Sequence, residues 1–351
     1  MINLKQKMGN SYIDQFKNYI ATAESEQTVN REVILLIDGL NLFLRAFSVV
    51  PTLNTNGEHT GAVIGFFNTI RKLVREHSPS EVIIVFDGKG GSVRRRKLYS
   101  EYKEKRVSVG TFNRFEEVKG LANEGESMKR QLVTVLQSLE HLPVRTVVID
   151  GVEADDVVSY IAVHLLSQDA HKIIASSDKD YYQLVREDIS VYSLHKKTLY
   201  TLQNIHEHIG YLPKNFLTLR CFTGDISDNI NGVHRVGEKG LNKHFQLNAT
   251  DKEHTIDSIV QEAELHVKNG TKVKLYQNIA EQKYIVYRNY NLMQLEEPPM
   301  SGQLSSHIRT VLDQPLNSYS RYAFYDLLRK SGIEFTTDDV STWDKLAKKT
   351  H

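Results

Sequence analysis

Four apolar runs frame this chain: Val33 to Ile37, Val82 to Phe86, Val144 to Ile149, which carries Arg145 and Thr146, and Ile173 to Ala175. None alternates with polar residues, as a strand with one wet face would. Continuous Val/Ile/Leu runs are expected where a parallel sheet is covered by helices on both sides. Between the first two runs, Val63, Phe66, Phe67, Ile70, Leu73 and Val74 recur at helical spacing, and Val157 to Leu166 follows the third as an amphipathic helix. The alternation predicts an α/β fold with a mostly parallel central sheet flanked by helices. A strand is predicted at Ile189 to Tyr192 with a hairpin partner at Thr198 to Tyr200, then helices at Asn204 to Ile209 and Pro213 to Phe222. Beyond these come a polar segment (248–272), a helical pattern from Ile279 to Tyr290 and a last amphipathic helix from Tyr319 to Leu328. The tail Thr336 to His351 reads as short and prone to fray.

The polar residues that close these runs carry the candidate chemistry. Asp38 ends the first and Asp87 the second; Glu153, Asp155 and Asp156 follow the third, and Asp178 and Asp180 follow the fourth. A single Asp after a strand is ordinarily a turn former or helix cap, and acids in a helix's first turn suit its dipole. Ligands in such folds, however, gather at the carboxyl ends of the strands, and here every run delivers acids to that edge. Oxygen donors without histidine or cysteine suit hard cations, Mg²⁺ or Mn²⁺. Asp178 and Asp180 can leave a strand end on one side, a spacing suited to two metals about 4 Å apart. Asp225 and Asp228, three residues apart, can share a face and complete the second metal.

Composition narrows the class. At 351 residues the chain exceeds a single simple core. The expected partition is an N-terminal appendage (1–31), an α/β core (32–200), a helical subdomain (201–335) and the tail (336–351). The single cysteine, Cys221, excludes an intrachain disulfide framework and a cysteine-based zinc site. No apolar run has the length of a membrane span and the N-terminus lacks an apolar signal core, so a cytoplasmic setting without membrane contact is expected.

The net charge of +1 conceals a separation of charge. Lys89, Arg94, Arg95, Arg96, Lys97, Lys103, Lys105 and Arg106 fall in one stretch with only Glu101 and Glu104 against them and with Tyr99 and Tyr102 interleaved. Lysine and arginine meet phosphates and tyrosine faces stack on unpaired bases, although a basic run is commonly just a solvated helix face. The stretch from 89 to about 127 is long for a crossover, which favours a substrate-gripping insertion. Gly232 and Gly237 flank a turn whose amides can open a helix toward a phosphate, with Lys239 beside it. A plain helix-to-helix turn explains that loop equally well at this stage.

Seven stretches together resemble the 5′-nuclease or flap endonuclease family, which includes exonuclease domains attached to bacterial DNA polymerases and stand-alone phage enzymes called RNase H. They are IDGLNLFLRAF (37–47), GEHTGAVIGFFNTIRKLV (57–74), VIIVFDGKG (82–90), YSEYKEKR (99–106), GVEADDVVSYIA (151–162), SSDKDYYQLV (176–185) and TGDISDNINGVHRVGEKG (223–240). The resemblance covers about residues 33–245. It implies a PIN-like fold with a helical arch and a C-terminal helical subdomain holding a helix-turn-helix for DNA. It implies that Asp38, Asp87, Glu153, Asp155, Asp156 and Asp178 serve a first metal region, with Asp180, Asp225 and Asp228 reaching a second. Tyr102, Lys103 and Arg106 match the base of the arch, where Lys103 and Arg106 would polarise the scissile phosphate. Arg220 would be a further phosphate contact, and the glycine loop, often with a bound K⁺ in relatives, would hold the duplex.

The reaction so implied is 5′→3′ exonuclease and 5′-flap endonuclease cleavage of DNA and RNA–DNA hybrids, as in primer removal, with two Mg²⁺ for which Mn²⁺ can substitute. The implied partners are flapped or nicked DNA and a single-stranded-DNA-binding protein or sliding clamp, with the enzyme a stand-alone monomer. The chain departs from the pattern at His234-Arg235, where relatives have Pro-Gly, and residues 107–130 match poorly. Three rivals are a non-catalytic DNA-binding protein, marked by missing carboxylates although all nine are present here, a metal-dependent phosphatase for small substrates, and a PIN-type ribonuclease.

Overall fold

The computed structural model describes residues 31–104, 124–334 and 340–349. The chain divides into two units, Met1–Glu32 and Val33–His351, and the second is described here. Residues 1–30 of the N-terminal appendage (1–31) and the middle of the basic insertion (105–123, with Lys105 and Arg106) lie outside the described residues.

Strands β1 (Val33–Asp38), β2 (Glu81–Asp87), β3 (Arg145–Ile149), β4 (His171–Ser176) and β5 (Ile189–Ser193) form a parallel sheet, and β6 (Thr198–Tyr200) pairs antiparallel with β5 at one edge. The order β3-β2-β1-β4-β5-β6 reverses direction at β1. Crevices open at such a reversal, beyond the carboxyl ends of the strands, because the connections on either side run to opposite faces.

The unalternating strand sequences follow from this arrangement. Leu35 and Ile37 of β1 enter one core, with α1 (Gly39–Val49), α2 (Gly61–His77) and α4 (Glu124–Leu139), while Ile34 and Leu36 enter the other, with α5 (Ala154–Tyr160). The short helix α3 (Val93–Leu98) lies in the basic insertion, before the residues outside the description. With both faces dry, each fully buried Leu or Ile adds roughly 1.5–3 kcal/mol. Helix α5 continues into one wider π turn, Ile161–Leu165, and a 3-10 turn, Lys179–Leu184, follows β4.

The helices after the sheet divide between three cores. Helices α6 (Ile205–Ile209) and α7 (Pro213–Thr223) are followed by a two-stranded ribbon, β7 (Gly224–Asp225) with β8 (Ile230–Asn231). Next come α8 (Glu238–Phe245), α9 (Ile256–Lys268), α10 (Lys274–Glu281) and α11 (Lys283–Met293), which build a third core around Phe222, Leu241, Ile259, Ile279 and Val286. Ile308 of α12 (Gly302–Asp313) instead packs beneath one face of the sheet, and Phe324 and Leu328 of α13 (Arg321–Lys330) beneath the other.

Three expectations are corrected. The polar segment 248–272 contains α9, whose Ile256, Ile259, Val260 and Ala263 form one buried stripe. The pattern from Ile279 to Tyr290 is broken at Gln282 into two helices. In the tail, the described residues form a seated helix where fraying is expected: α14 (Val340–Lys349) buries Trp343 and Leu346, and Trp343 meets the Phe324 ring at 6.2 Å. One aromatic and one leucine at i, i+3 suffice to seat an otherwise polar helix, which composition alone hides.

Candidate active site

At the reversal point, Asp38, Asp87, Glu153, Asp155 and Asp178 line one cleft together with Lys103, Asn41 and Leu44. Asp38 reaches it as the last residue of β1 and the cap of α1. Its Oδ1 accepts from the Asn41 amide at 3.1 Å and its Oδ2 from the Ser176 hydroxyl at 3.2 Å. Asp87 ends β2, and its Oδ1 accepts from the Ala154 amide at 2.9 Å, tying β2 to the start of α5. Asp178 caps the 3-10 turn by accepting from the Asp180 amide at 2.9 Å, and its own amide donates to Ser176 Oγ at 3.0 Å. Burial, and then the charges of its neighbours Asp87, Asp178 and Asp155, push Asp38 up to about 7 against one opposing amide bond from Asn41. Asp178 is raised in the same way, by burial first and then by Asp155 and Asp228.

The opposite wall is held by cations of the chain itself. Arg95, 1 % exposed, donates to Asp155 Oδ1 at 3.0 Å and Asp156 Oδ1 at 2.8 Å, contacts Glu153, and donates to the Leu292 carbonyl at 2.9 Å. Glu153 also accepts from the Tyr102 hydroxyl at 2.9 Å and from Lys103 Nζ at 3.0 Å. Burial alone would raise Asp155, but Arg95 and then Lys103 outweigh it and hold the carboxyl below its ordinary value. Lys103 adopts a left-handed backbone (φ 57°), its amide donates to the Asp228 carbonyl at 2.9 Å, and its ammonium lies 4.8 Å from the Tyr102 ring centre.

The remaining acids stand apart. Arg220 bridges Asp180, at 2.7 Å, and Asp225, whose Oδ1 is further held by the Ser227 amide and hydroxyl at 2.8 and 2.7 Å. Asp156 and Asp228 are buried, and neither lines the cleft.

Among the described residues, no three of these side chains stand close enough around one point to hold a metal ion. Glu153, Asp155 and Asp156 are turned to Arg95, and Asp180 and Asp225 to Arg220. The chemistry of the cleft set nevertheless fits a hard cation: carboxylate oxygens only, with Asp38 and Asp178 pushed up by burial and by repulsion that a divalent ion would relieve. The Asp180–Asp225 pair, closed on Arg220, does not fit one as it stands.

Two expected nucleic-acid contacts are corrected. Arg95 and Tyr102 are 1 % and 2 % exposed, so neither guanidinium nor ring is available to a phosphate or a base. Arg94 is half-buried beside Asp156, whereas Arg96, Lys97 and Lys239 are exposed. In the glycine loop, a Cβ on Gly232 would fall 2.3 Å from the Thr223 backbone, so close approach requires glycine there; around Gly237 the space is open. His234 is tied to Gln282 and Asn278, at 3.1 and 3.0 Å, and Arg235 takes a left-handed backbone (φ 59°).

Sequence reasoning missed the polar struts. Asn41 Oδ1 accepts from the Ser177 amide at 2.9 Å and Ser176 Oγ links Asp38 to Asp178, so β1 and β4 hold their carboxylates jointly. Their only signal was position, beside an acid at a strand end. Tyr181, fully buried, has a hydroxyl with no hydrogen-bond partner among the described residues.

Acids gathered where a parallel sheet reverses its strand order form a cleft whose chemistry suits hard cations, and comparison with known proteins gives the family. The family model described as "5'-3' exonuclease, N-terminal resolvase-like domain" matches residues 33–210. The 5′-3′ exonuclease of Buchnera aphidicola (Schizaphis graminum) is 29 % identical over 211 residues, 60 % of this chain and 68 % of that one. Flap endonuclease Xni of Psychromonas ingrahamii is 29 % identical over 252 residues, 70 % of this chain and 87 % of that one. The solved structure of T5 5′-exonuclease with divalent zinc bound is 25 % identical with a TM-score of 0.60, covering 80 % of this chain and 99 % of that one. The chain belongs to the 5′-3′ exonuclease and flap endonuclease family and is a nuclease, a hydrolase.

Proposed function

We propose that this nuclease cuts DNA at 5′ ends and 5′ flaps, and the RNA strand of RNA–DNA hybrids, in a reaction that depends on two Mg²⁺ ions, with Mn²⁺ able to replace them. The observation that carries the reading is the convergence of Asp38, Asp87, Glu153, Asp155 and Asp178 from four strand ends on one cleft with Lys103. Relatives named as flap endonuclease and 5′-3′ exonuclease, and zinc bound in the T5 enzyme, support it.

Asp38, Asp87, Asp155 and Asp178 would hold the first ion, with Glu153 beside it. Asp180, Asp225 and Asp228 would serve the second only after Arg220 releases its two carboxylates; Asp156 is better read as a partner of Arg95. When bound, divalent ions supply a more acidic water and charge stabilisation at phosphorus. The chain's own residues do the rest. Asn41 and Ser176 fix the orientation of Asp38 at the cleft. Lys103, held at Glu153, sits where its ammonium can transfer to a phosphate oxygen and offset the charge that builds there. Arg106, which lies outside the described residues, would assist it as the resemblance implies. Exposed Arg96 and Lys97 supply positive charge against which DNA can approach so acidic a cleft.

The division into an α/β core (32–200) with an arch and a helix-turn-helix around Gly232 and Gly237 belongs to the same proposal, as does docking of a single-stranded-DNA-binding protein or clamp. K⁺ at the glycine loop rests on the resemblance alone. Release of label from 5′-flap DNA and from a hybrid's RNA strand, with and without Mg²⁺, tests the reading against p-nitrophenyl phosphate. Hydrolysis of the small ester alone overturns it.

A further inference from the structure

Tyr181 lies on the 3-10 turn that Asp178 caps, fully buried in the core that packs β1 and β2 on α5. Its hydroxyl has no hydrogen-bond partner among the described residues. Phenylalanine would fill the same space without burying an unpaired donor, a cost that an acceptor in another state of the protein would relieve; the Tyr200 hydroxyl is buried and unpaired in the same way, and what sets Tyr181 apart is its place on the turn that Asp178 caps. The turn that carries Tyr181 begins at the cleft acid Asp178, and the charges of Asp38, Asp155, Asp178 and Asp87, four of the five carboxylates of the cleft, act on the phenol. A carboxylate that ligates a cation commonly takes a hydrogen bond on its other oxygen, which fixes its orientation.

We propose that Tyr181 is a positioning residue of the cleft, its hydroxyl donating to one of these carboxylates in the metal-loaded protein. The inference rests on the divalent-metal reading above. It assigns the residue no part in the reaction and no change of protonation, only the orientation of a ligand.

The test is thermal unfolding of the full chain titrated with Mg²⁺ alone, for wild type, Tyr181→Phe and, as control, Tyr200→Phe, an equally buried tyrosine packed edge-on to Tyr182. Without Mg²⁺, Tyr181→Phe is expected to melt at or above the wild-type temperature, because it removes an unpaired donor. The Mg²⁺ concentration giving half of the stabilisation is expected to rise about tenfold in Tyr181→Phe and to stay unchanged in the control. A lower metal-free melting temperature with an unaltered Mg²⁺ response overturns the proposal by making the hydroxyl an ordinary packing element, as does a variant identical to wild type in both. A wild type that Mg²⁺ does not stabilise overturns the metal reading along with it.

Discussion

Arg95 donates to Asp156 at 2.8 Å from a guanidinium that is 1 % exposed, and the same group meets Asp155 and Glu153. One arginine thus bridges all three acids at the start of α5, from a helix that precedes it by about sixty residues.

Removing Arg95 strips Asp155 of its direct cation and leaves Asp156 with only Arg94 at 3.8 Å and Glu153 with only Lys103. Arg95→Ala is expected to lower the unfolding free energy by about 3–5 kcal/mol, a large share of a domain's stability. Arg95→Lys should recover only part, since a point charge cannot reach three carboxylates at once. Urea unfolding of the metal-free protein checks both; an Arg95→Ala loss below about 1 kcal/mol places the cluster's balance elsewhere.

Lys103 is held in the cleft by Glu153 rather than extended toward solvent. If its ammonium acts on the charge that builds at phosphorus, Lys103→Ala should reduce single-turnover cleavage of a 5′ flap far more than it weakens flap binding. An equal loss in both would make it a simple phosphate contact.

A second buried pair lets the stability be read against pH. Lys172 is fully buried and its ammonium contacts Asp188, which also accepts from Arg186 at 2.9 Å. Burial opposes ionisation of Asp188, but Lys172 and then Arg186 outweigh it and hold the carboxyl below its ordinary value. The folded-state value is depressed, so the pair's contribution is complete above the unfolded-state value of about 4 and is lost as pH falls through the lower folded-state one. The stability difference between wild type and Asp188→Asn, followed by denaturant unfolding, should therefore be constant near neutrality and shrink in acid. A difference that grows below pH 4 contradicts the assignment.

The strand runs were legible because both faces of the sheet are dry, so apolar continuity was itself the signal. Acids at strand ends were legible for the same reason: each interrupts an apolar run. What the sequence hid is pairing at a distance. Arg95 reads as one member of a basic run, and nothing local distinguishes it from exposed Arg96 until the fold brings Glu153 and Asp156 to it. Tyr102 was likewise read as a stacking surface, whereas its hydroxyl serves Glu153 from inside a core. Helix α14 escaped notice because only Trp343, Leu346 and Ala347 are apolar in its buried face, too few for a periodic signal.

The central claim is that the carboxylates of the cleft serve divalent-metal hydrolysis of 5′-flap DNA. Asp38→Asn tests it with least disturbance, because the amide oxygen can keep the cap to Asn41 while the charge at the centre of the cleft is removed. Under single-turnover conditions with Mg²⁺, cleavage of a labelled 5′ flap should fall by about a hundredfold or more, with flap affinity within about threefold of wild type and the melting temperature of the metal-free protein unchanged or raised. An Asp38→Asn protein that cuts the flap at the wild-type rate would contradict the account.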